Sequence, residues 1–282
     1  MKSIAESLTR IESALAASGI AEARREAMSL LMLATQKDKT FIYGHPEHTL
    51  TPEEVANLNL LLARRAKREP LQYISGVQEF YGLDFDVTPD VLIPRPETEM
   101  VVEHAIEILG KSGGDSICDV GVGSGCIAIS ILHELLHVSA VGLDASAGAL
   151  KVARRNADKH GVSSRLELRQ SDVFSGLREW RYGLIVSNPP YVPVEDIAGL
   201  QPEVRDFEPH TALTDDSDGF SIIRRIVNES PQFLKSRGHL LLEIGFNQSE
   251  KVGEMFAGGQ WLPPDLYPDL QGIPRLISAQ LI

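Results

Sequence analysis

The residue types best placed to do chemistry in this chain stand together at Ser187-Asn188-Pro189-Pro190-Tyr191. They follow Leu184-Ile185-Val186, a buried-strand pattern that two prolines must end, because proline has no N–H for a sheet ladder. The chain therefore leaves the strand with backbone carbonyls unpaired, a side-chain amide at the strand end and an aromatic ring just beyond it. Such a group can accept two hydrogen bonds from a planar –NH2 and hold its flat face against a ring. A strand that simply stops at a Pro-Pro turn would carry the same letters. The upstream sequence decides between the two.

Upstream, Asp119-Val120-Gly121-Val122-Gly123-Ser124-Gly125-Cys126 leaves an apolar strand and enters an apolar helix expected from Ile127 to Leu136. Alternate glycines let backbone approach a ligand where a Cβ would clash. The loop is not the dinucleotide fingerprint G-x-G-x-x-G, since Cys126 stands at the third glycine's place, and no Lys-Ser/Thr pair makes it a P-loop. Asp144 ends the next strand, where an acid hydrogen-bonds a ribose hydroxyl pair in Rossmann-like sites. Ser171-Asp172-Val173-Phe174 ends the third strand, where Asp172 and Val173 suit an adenine amino group with apolar flanks. A nucleoside without pyrophosphate fits this set better than a dinucleotide. The candidate cofactor contacts are Asp119, Gly121, Val122, Gly123, Ser124, Gly125, Asp144, Asp172, Val173 and Asn188, all on the carboxyl edge of the strands.

These residues need a sheet to hold them. From Ser116 onward strands and helices alternate, as in a doubly wound α/β domain. Strands are expected near 116–120, 139–144, 165–170, 182–187 and 239–244, with an antiparallel pair near 261–267 and 275–281. A long helix is expected from Ser217 to Lys235. Residues 1–75 read as helices: Ile4, Leu8, Ile11 and Leu15 recur at three-to-four spacing, as do Ala27, Leu30, Leu31 and Leu33. Thr51-Pro52-Glu53-Glu54 opens another helix with a cap, a proline and first-turn acids. That helix is expected to end in a solvated basic face, Arg64–Arg68. Gly76, Gly82 and alternation through Phe80, Leu83, Phe85 and Val87 predict a hairpin-like linker over 76–93, leaving 94–282 as the α/β domain. Within Val91–Glu99 two prolines stiffen the loop and Thr98 is placed to cap the next helix.

Charge narrows the function. The formal net charge is -12. Residues 1–75 hold ten basic and nine acidic residues, a balance of +1, and the remainder holds 17 and 30, a balance of -13. An acidic body grips polyphosphate poorly, which disfavours nucleic acid as a direct substrate. No apolar run approaches the ~20 residues that span a bilayer, and the start lacks the layout of a secretion signal. Two cysteines in apolar surroundings, Cys118 and Cys126, do not make a disulfide framework. The expectation is a cytoplasmic protein with no membrane contact.

The order of glycine loop, ribose acid, adenine acid and Asn-Pro-Pro-Tyr resembles the S-adenosylmethionine-dependent methyltransferases that modify exocyclic or amide nitrogen. More closely, the chain resembles the bacterial release factor glutamine methyltransferases, the HemK/PrmC family, from about Tyr73 to Arg275. The resemblance includes Gly76–Gly82, Ile93–Glu99, Asp119–Gly125, Asn188–Tyr191, Glu243-Ile244-Gly245 and Asp269–Gly272. Of these Ile93–Glu99 is the most specific, since most methyltransferases with Asn-Pro-Pro-Tyr lack it. Val122 stands where threonine is common, and Val173 where a larger aromatic can sit. Residues 1–75 match only in being helical and of similar length.

The resemblance implies a Rossmann-like, seven-stranded α/β methyltransferase domain preceded by a helical bundle that recognises the substrate. It implies a monomer using S-adenosyl-L-methionine, with class I peptide chain release factors as partners and the glutamine of their Gly-Gly-Gln motif as target. An amide nitrogen is a poor nucleophile because its lone pair is delocalised into the carbonyl. The catalytic and substrate-binding set is then Asn188, Pro189, Pro190 and Tyr191. The Asn188 side-chain oxygen and the Pro189 carbonyl would accept both N–H groups of the glutamine, and Tyr191 and Pro190 would pack its plane. Alignment of this kind can lower a barrier by about 7–11 kcal/mol. Asn188→Ala is expected to cut turnover far more than cofactor binding.

Other readings are weaker. His133-Glu134-Leu135-Leu136-His137 matches a zinc-protease pattern, but its helix must pack an apolar stripe on the sheet, so no metal is expected. An adenine-amine DNA methyltransferase needs basic surface and a base-flipping pocket. A glutamine methyltransferase of a ribosomal protein is the nearer alternative, separated by the Pro-Glu-Thr-Glu run after Arg95. A non-catalytic binding protein would be expected to lack Asn188 or the glycines. His210, in Glu208-Pro209-His210, is placed near the pocket without an assigned role.

Overall fold

The structure, a computed structural model, describes residues 2–112, 116–177 and 180–282. The chain divides into two units, one of 1–76 with 201–207 and one of 77–200 with 208–282. Met1, included in the first expected segment, lies outside the described residues.

The first unit is helical. Helices Ile4–Ala17, Ala23–Thr35, Lys39–Gly44, Pro52–Ala66 and Leu71–Ser75 surround a core that includes Ile4, Ile11, Leu15, Ala27, Leu30, Leu31 and Leu58. Ser3 with Glu6 and Thr51 with Glu54 form capping boxes, so the first and fourth helices start where their orphan N–H groups find side-chain acceptors. Only part of the basic run is a solvated face: Arg64 and Lys67 are exposed, but Arg65 and Arg68 are not. Arg65 is buried and its guanidinium binds Glu26 and, at 2.9 Å, Glu203. Arg68 reaches the other Glu203 oxygen at 2.6 Å, and Arg64 pairs with Glu69. A buried guanidinium needs such partners, and Glu203 supplies one from the short helix Pro202–Phe207.

In the second unit a hairpin, β1 (Val77–Phe80) and β2 (Leu83–Asp86), precedes the main sheet. Expected as a linker, it instead buries Phe80 and Phe85 in the core with Val101, Val102 and Ala105 of helix Glu99–Ser112. The sheet follows as β3 (Ser116–Val120), β4 (Ser139–Asp144), β5 (Leu166–Gln170), β6 (Tyr182–Ser187), β7 (Leu234–Glu243), β8 (Asp265–Pro268) and β9 (Pro274–Gln280). Its order is β5-β4-β3-β6-β7-β9-β8. The first five run parallel, and β9 and β8 add an antiparallel edge. Side chains alternate across it: Ile117 and Leu184 pack on one face, Cys118 and Ile185 on the other. The order reverses beside β3, so β3 and β6 open a crevice at their carboxyl ends.

Four expected boundaries shift. The helix after the glycine loop is Cys126–Glu134, and Leu135 is already extended, so His133 and His137 do not share a helical face. The long helix at 217–235 is only Ser221–Glu229, followed by a 3-10 turn containing Pro231. Asp215 accepts the N–H groups of Ser217, Gly219 and Ser221, which folds the preceding segment into a loop around one carboxylate. Strand β7 accordingly begins at Leu234. In the edge pair the first strand starts at Asp265, because Pro263 and Pro264 have no N–H to contribute; Trp261 makes a single bridge to Leu281.

Candidate active site

A cleft of about 380 Å³ opens at the carboxyl ends of β3, β4, β5 and β6. That is within the usual range for a small-molecule site. Its walls include Gly121, Val122, Gly123, Ser124, Asp144, Asp172, Val173, Asn188, Pro189 and Pro190. Ten of the expected site residues therefore meet in one place.

The glycine loop is held by its neighbours. Gly121 and Val122 donate N–H to the Leu143 carbonyl at 2.8 Å, and Gly123 donates to Asp144 Oδ2 at 2.9 Å. Gly121, Gly123 and Gly125 all have positive φ. A Cβ on Gly121 would stand 3.9 Å from the Asn188 backbone oxygen, filling space between the loop and the β6 end. Asp144 Oδ1 also accepts from Ser146 N–H at 2.8 Å. Burial raises the Asp144 carboxyl above its ordinary range while those two N–H groups hold it down. A half-buried carboxylate between a glycine loop and an apolar slot of Val122, Val173 and Ile226 suits the ribose and adenine of a nucleoside.

Asp172 lines the cleft with its carboxylate already paired to Arg225 at 2.8 Å. Val173 is a β-branched residue at φ 51, a strained conformation that turns the chain sharply at the cleft wall.

Three expected residues lie elsewhere. Asp119 is fully buried on the inner face of β3 and accepts from Ala128 N–H at 3.2 Å, so it braces the helix start and does not line the cleft. Among the described residues its Oδ1 has no partner, and burial pushes its carboxyl up to about 7. Gly125 is behind the wall: a Cβ there would lie 2.6 Å from Ile129 Cδ1. Tyr191 also leaves the wall, donating its hydroxyl to Glu243 Oε1 at 3.3 Å. Its ring packs against the core cluster on that side of the sheet.

The Asn-Pro-Pro segment presents acceptors. Asn188 Nδ2 donates to Thr98 Oγ1 at 3.1 Å, while Asn188 Oδ1 and the Pro189 carbonyl receive no hydrogen bond among the described residues. Thr98 does not cap a helix; its hydroxyl donates to Glu243 Oε2 at 2.6 Å. The rigid loop before it is anchored by Glu208, which accepts from Ile93 N–H at 3.1 Å and pairs with Arg95 at 2.5 Å. Burial raises the Glu208 carboxyl and Arg95 opposes the shift. Pro94 and Arg95 thereby become cleft wall, as do Pro209, Thr211 and Ala212; His210 is not in the lining and lies 3.5 Å from Asp216. Sequence reasoning missed Glu208 and the partnership of Thr98 with Glu243. The Glu243-Ile244-Gly245 and Ile93–Glu99 runs were visible, but nothing in spacing says that they meet.

Comparison with known proteins gives the family and the fold. The family described as PrmC N-terminal domain matches residues 6–76, and the methyltransferase small domain matches residues 98–198. A release factor glutamine methyltransferase of Geobacter sulfurreducens is 44% identical over 267 residues, covering 95% of this chain and 93% of its own. One from Cereibacter sphaeroides is 42% identical, covering 95% and 94%. Among solved structures, a methyltransferase from Pyrococcus furiosus superposes with a TM-score of 0.53 at 15% identity, over 77% of this chain and 98% of that one. A 16S rRNA methyltransferase of T. thermophilus, in complex with AdoMet and guanosine, gives 0.51 at 18% identity, over 73% and 50%. These two likenesses establish the fold, and the first two establish the lineage: the chain belongs to the release factor glutamine methyltransferase family.

Proposed function

We propose that this chain transfers a methyl group from S-adenosyl-L-methionine to the side-chain amide nitrogen of the glutamine in the Gly-Gly-Gln motif of class I release factors. The observation that carries it is the pair of unpaired acceptors, Asn188 Oδ1 and the Pro189 carbonyl, on the wall of a nucleoside-sized cleft. A primary amide has two N–H donors, and two fixed acceptors orient its nitrogen.

Asp144 and the Gly121–Gly123 backbone would hold the ribose side of the cofactor, and Val122, Val173 and Ile226 its apolar surroundings. When bound, the cofactor supplies a methyl carbon on a sulfonium, a leaving group that takes the bonding electrons back to sulfur. The chain supplies position and polarity: Asn188 and Pro189 hold both amide N–H groups, favouring a lone pair aimed at the methyl carbon. The surplus proton leaves to solvent after transfer. Arg95, buttressed by Glu208, lines the cleft with Pro94.

The wider reading has the helical unit holding the body of the release factor and the protein acting as a cytoplasmic monomer with no direct nucleic-acid substrate. The -13 balance outside residues 1–75 supports the last point. The described residues contain no helix long and apolar enough to cross a membrane.

Tritiated methyl transfer to a purified class I release factor tests the proposal, with the same factor lacking its Gly-Gly-Gln glutamine as control. Label that vanishes in the control fits the proposal. Label on a ribosomal protein or DNA instead would keep the methyltransferase and discard the substrate.

A further inference from the structure

Four side chains from distant parts of the chain form one hydrogen-bonded line. Glu243 ends β7, is buried, and accepts at Oε2 from the Thr98 hydroxyl at 2.6 Å and at Oε1 from the Tyr191 hydroxyl at 3.3 Å. Thr98 is buried as well, and its oxygen accepts from Asn188 Nδ2 at 3.1 Å. A threonine hydroxyl has one proton. With that proton given to Glu243, Thr98 can only accept, so the end of the Asn188 amide that faces it must be –NH2. Oδ1 is then the end left for a substrate.

We infer that Glu243 and Thr98 are positioning residues that fix the orientation of the Asn188 amide, so that it offers an acceptor to the target. The inference rests on the reading that the target is a primary amide held by Asn188. The opposite orientation would set the Asn188 –NH2 against the –NH2 of the target, two donors facing each other. Asparagine has no intrinsic preference between the two orientations; only its neighbours impose one. Ionised Glu243 can only accept, and this sets the direction of the whole line. Buried polar groups that are all satisfied specify one arrangement, which is what an aligned nucleophile needs.

The logic predicts a pattern that loss of packing would not give. In Glu243→Met the Thr98 hydroxyl loses its acceptor and is free to donate to Asn188 Oδ1, reversing the amide. In Thr98→Val the amide is unrestrained but not driven the wrong way. The double variant therefore recovers activity relative to Glu243→Met alone, because it removes the misdirecting donor. Tyr191 loses the same acceptor in both, so its contribution cancels from the comparison.

The test is single-turnover methyl transfer to a class I release factor, with cofactor affinity measured by calorimetry on each variant. Expected is a fall in turnover of roughly 10–100-fold for Glu243→Met. A smaller fall is expected for Thr98→Val, near-normal turnover for Thr98→Ser, and partial recovery in the double variant. Cofactor affinity should fall far less than turnover, since Glu243 does not line the cleft and the Thr98 hydroxyl, at its wall, gives its proton to Glu243. Additive losses in the double variant, or a Thr98→Ser protein as slow as Thr98→Val, would overturn the inference. Wild-type protein that labels no glutamine sinks the substrate reading and the inference with it; a wild type that labels glutamine beside an unaffected Glu243→Met sinks only the inference. Nitrogen NMR of the Asn188 side chain gives a readout independent of activity. Its –NH2 protons should exchange slowly in the wild type and fast in Thr98→Val, and equal rates would count against the line.

Discussion

Asn156 and Asp86 exchange two hydrogen bonds: Asn156 Oδ1 accepts from Asp86 N–H at 2.7 Å and Asn156 Nδ2 donates to the Asp86 carbonyl at 3.0 Å. The second Nδ2 proton goes to the Ser124 carbonyl at 2.8 Å. One buried amide on helix Ala147–Lys159 thus joins the hairpin to the glycine loop.

Asn156→Ala leaves three backbone groups without partners, each worth about 1–3 kcal/mol when buried. The expected loss is roughly 2–4 kcal/mol of stability, since water reaches part of the hairpin end. Cofactor affinity should fall with it, because Ser124 lines the cleft. Urea unfolding and calorimetry check the two effects, and a loss of stability with unchanged affinity would separate the hairpin from the loop.

Gly219 has φ +77, and a Cβ there would stand 2.3 Å from the Tyr191 carbonyl oxygen and 3.0 Å from its carbon. The obstacle is backbone, so the Asn-Pro-Pro-Tyr turn itself must move. Gly76, at φ +78 with nothing within 4 Å of its added Cβ, carries the conformational strain alone. Gly76→Ala should cost about 1–2 kcal/mol, and Gly219→Ala distinctly more, with turnover lost even in protein that remains folded. Equal thermal shifts in the two variants would show that the turn yields easily.

Asp144 is expected to dominate cofactor affinity. Asp144→Ala removes the acceptor for ribose hydroxyls and frees the Gly123 N–H that it now holds at 2.9 Å. A loss of roughly 10–100-fold in binding is expected, with Asp144→Asn intermediate because one acceptor oxygen remains. Calorimetry with the cofactor product is sufficient, and unaltered affinity in the alanine variant would remove Asp144 from the site.

Glu243 should link activity to pH. Burial pushes its carboxyl up to about 7; Thr98 and Tyr191 donate to it, Glu97 raises it further and Arg275 lowers it. Protonated Glu243 can itself donate to Thr98 and reverse the line, so turnover should fall as pH drops through about 7. Stability moves the other way. A carboxyl raised from 4.5 binds its proton more readily in the folded chain, so its ionisation costs stability as pH rises from about 4.5 to 7. Thermal unfolding of Glu243→Met relative to wild type isolates this group from Asp119, which titrates in the same region. Wild type should gain stability relative to the variant on acidification, and a difference flat from pH 5 to 8 would place the carboxyl well below that range.

What was legible in the sequence follows from what a local pattern can encode. The parallel strands are short apolar runs, and the ligand edge is where their polar ends stop, so Asp144, Asp172 and Asn188 could be placed from periodicity. Glu208, Asn156 and the Thr98–Glu243 pair could not, because each acts on a partner far away in sequence: 145 residues separate Thr98 from Glu243. The Ser217–Lys235 helix was overdrawn because apolar spacing does not reveal the Asp215 loop. Tyr191 was assigned to the ligand because a ring beside an amide suggests stacking; its hydroxyl found a buried carboxylate instead.

The helical unit includes residues 201–207 as well as 1–76, with Glu203 answering Arg65 and Arg68 from a stretch flanked on both sides by the catalytic unit. No single cut in the chain releases that unit whole. A gene break at residue 76 would strand two arginines on one product and their carboxylate on the other. Recombination that swaps N-terminal modules by one crossover would therefore produce mismatched halves, and the two units are expected to be inherited, and to diversify, as one piece.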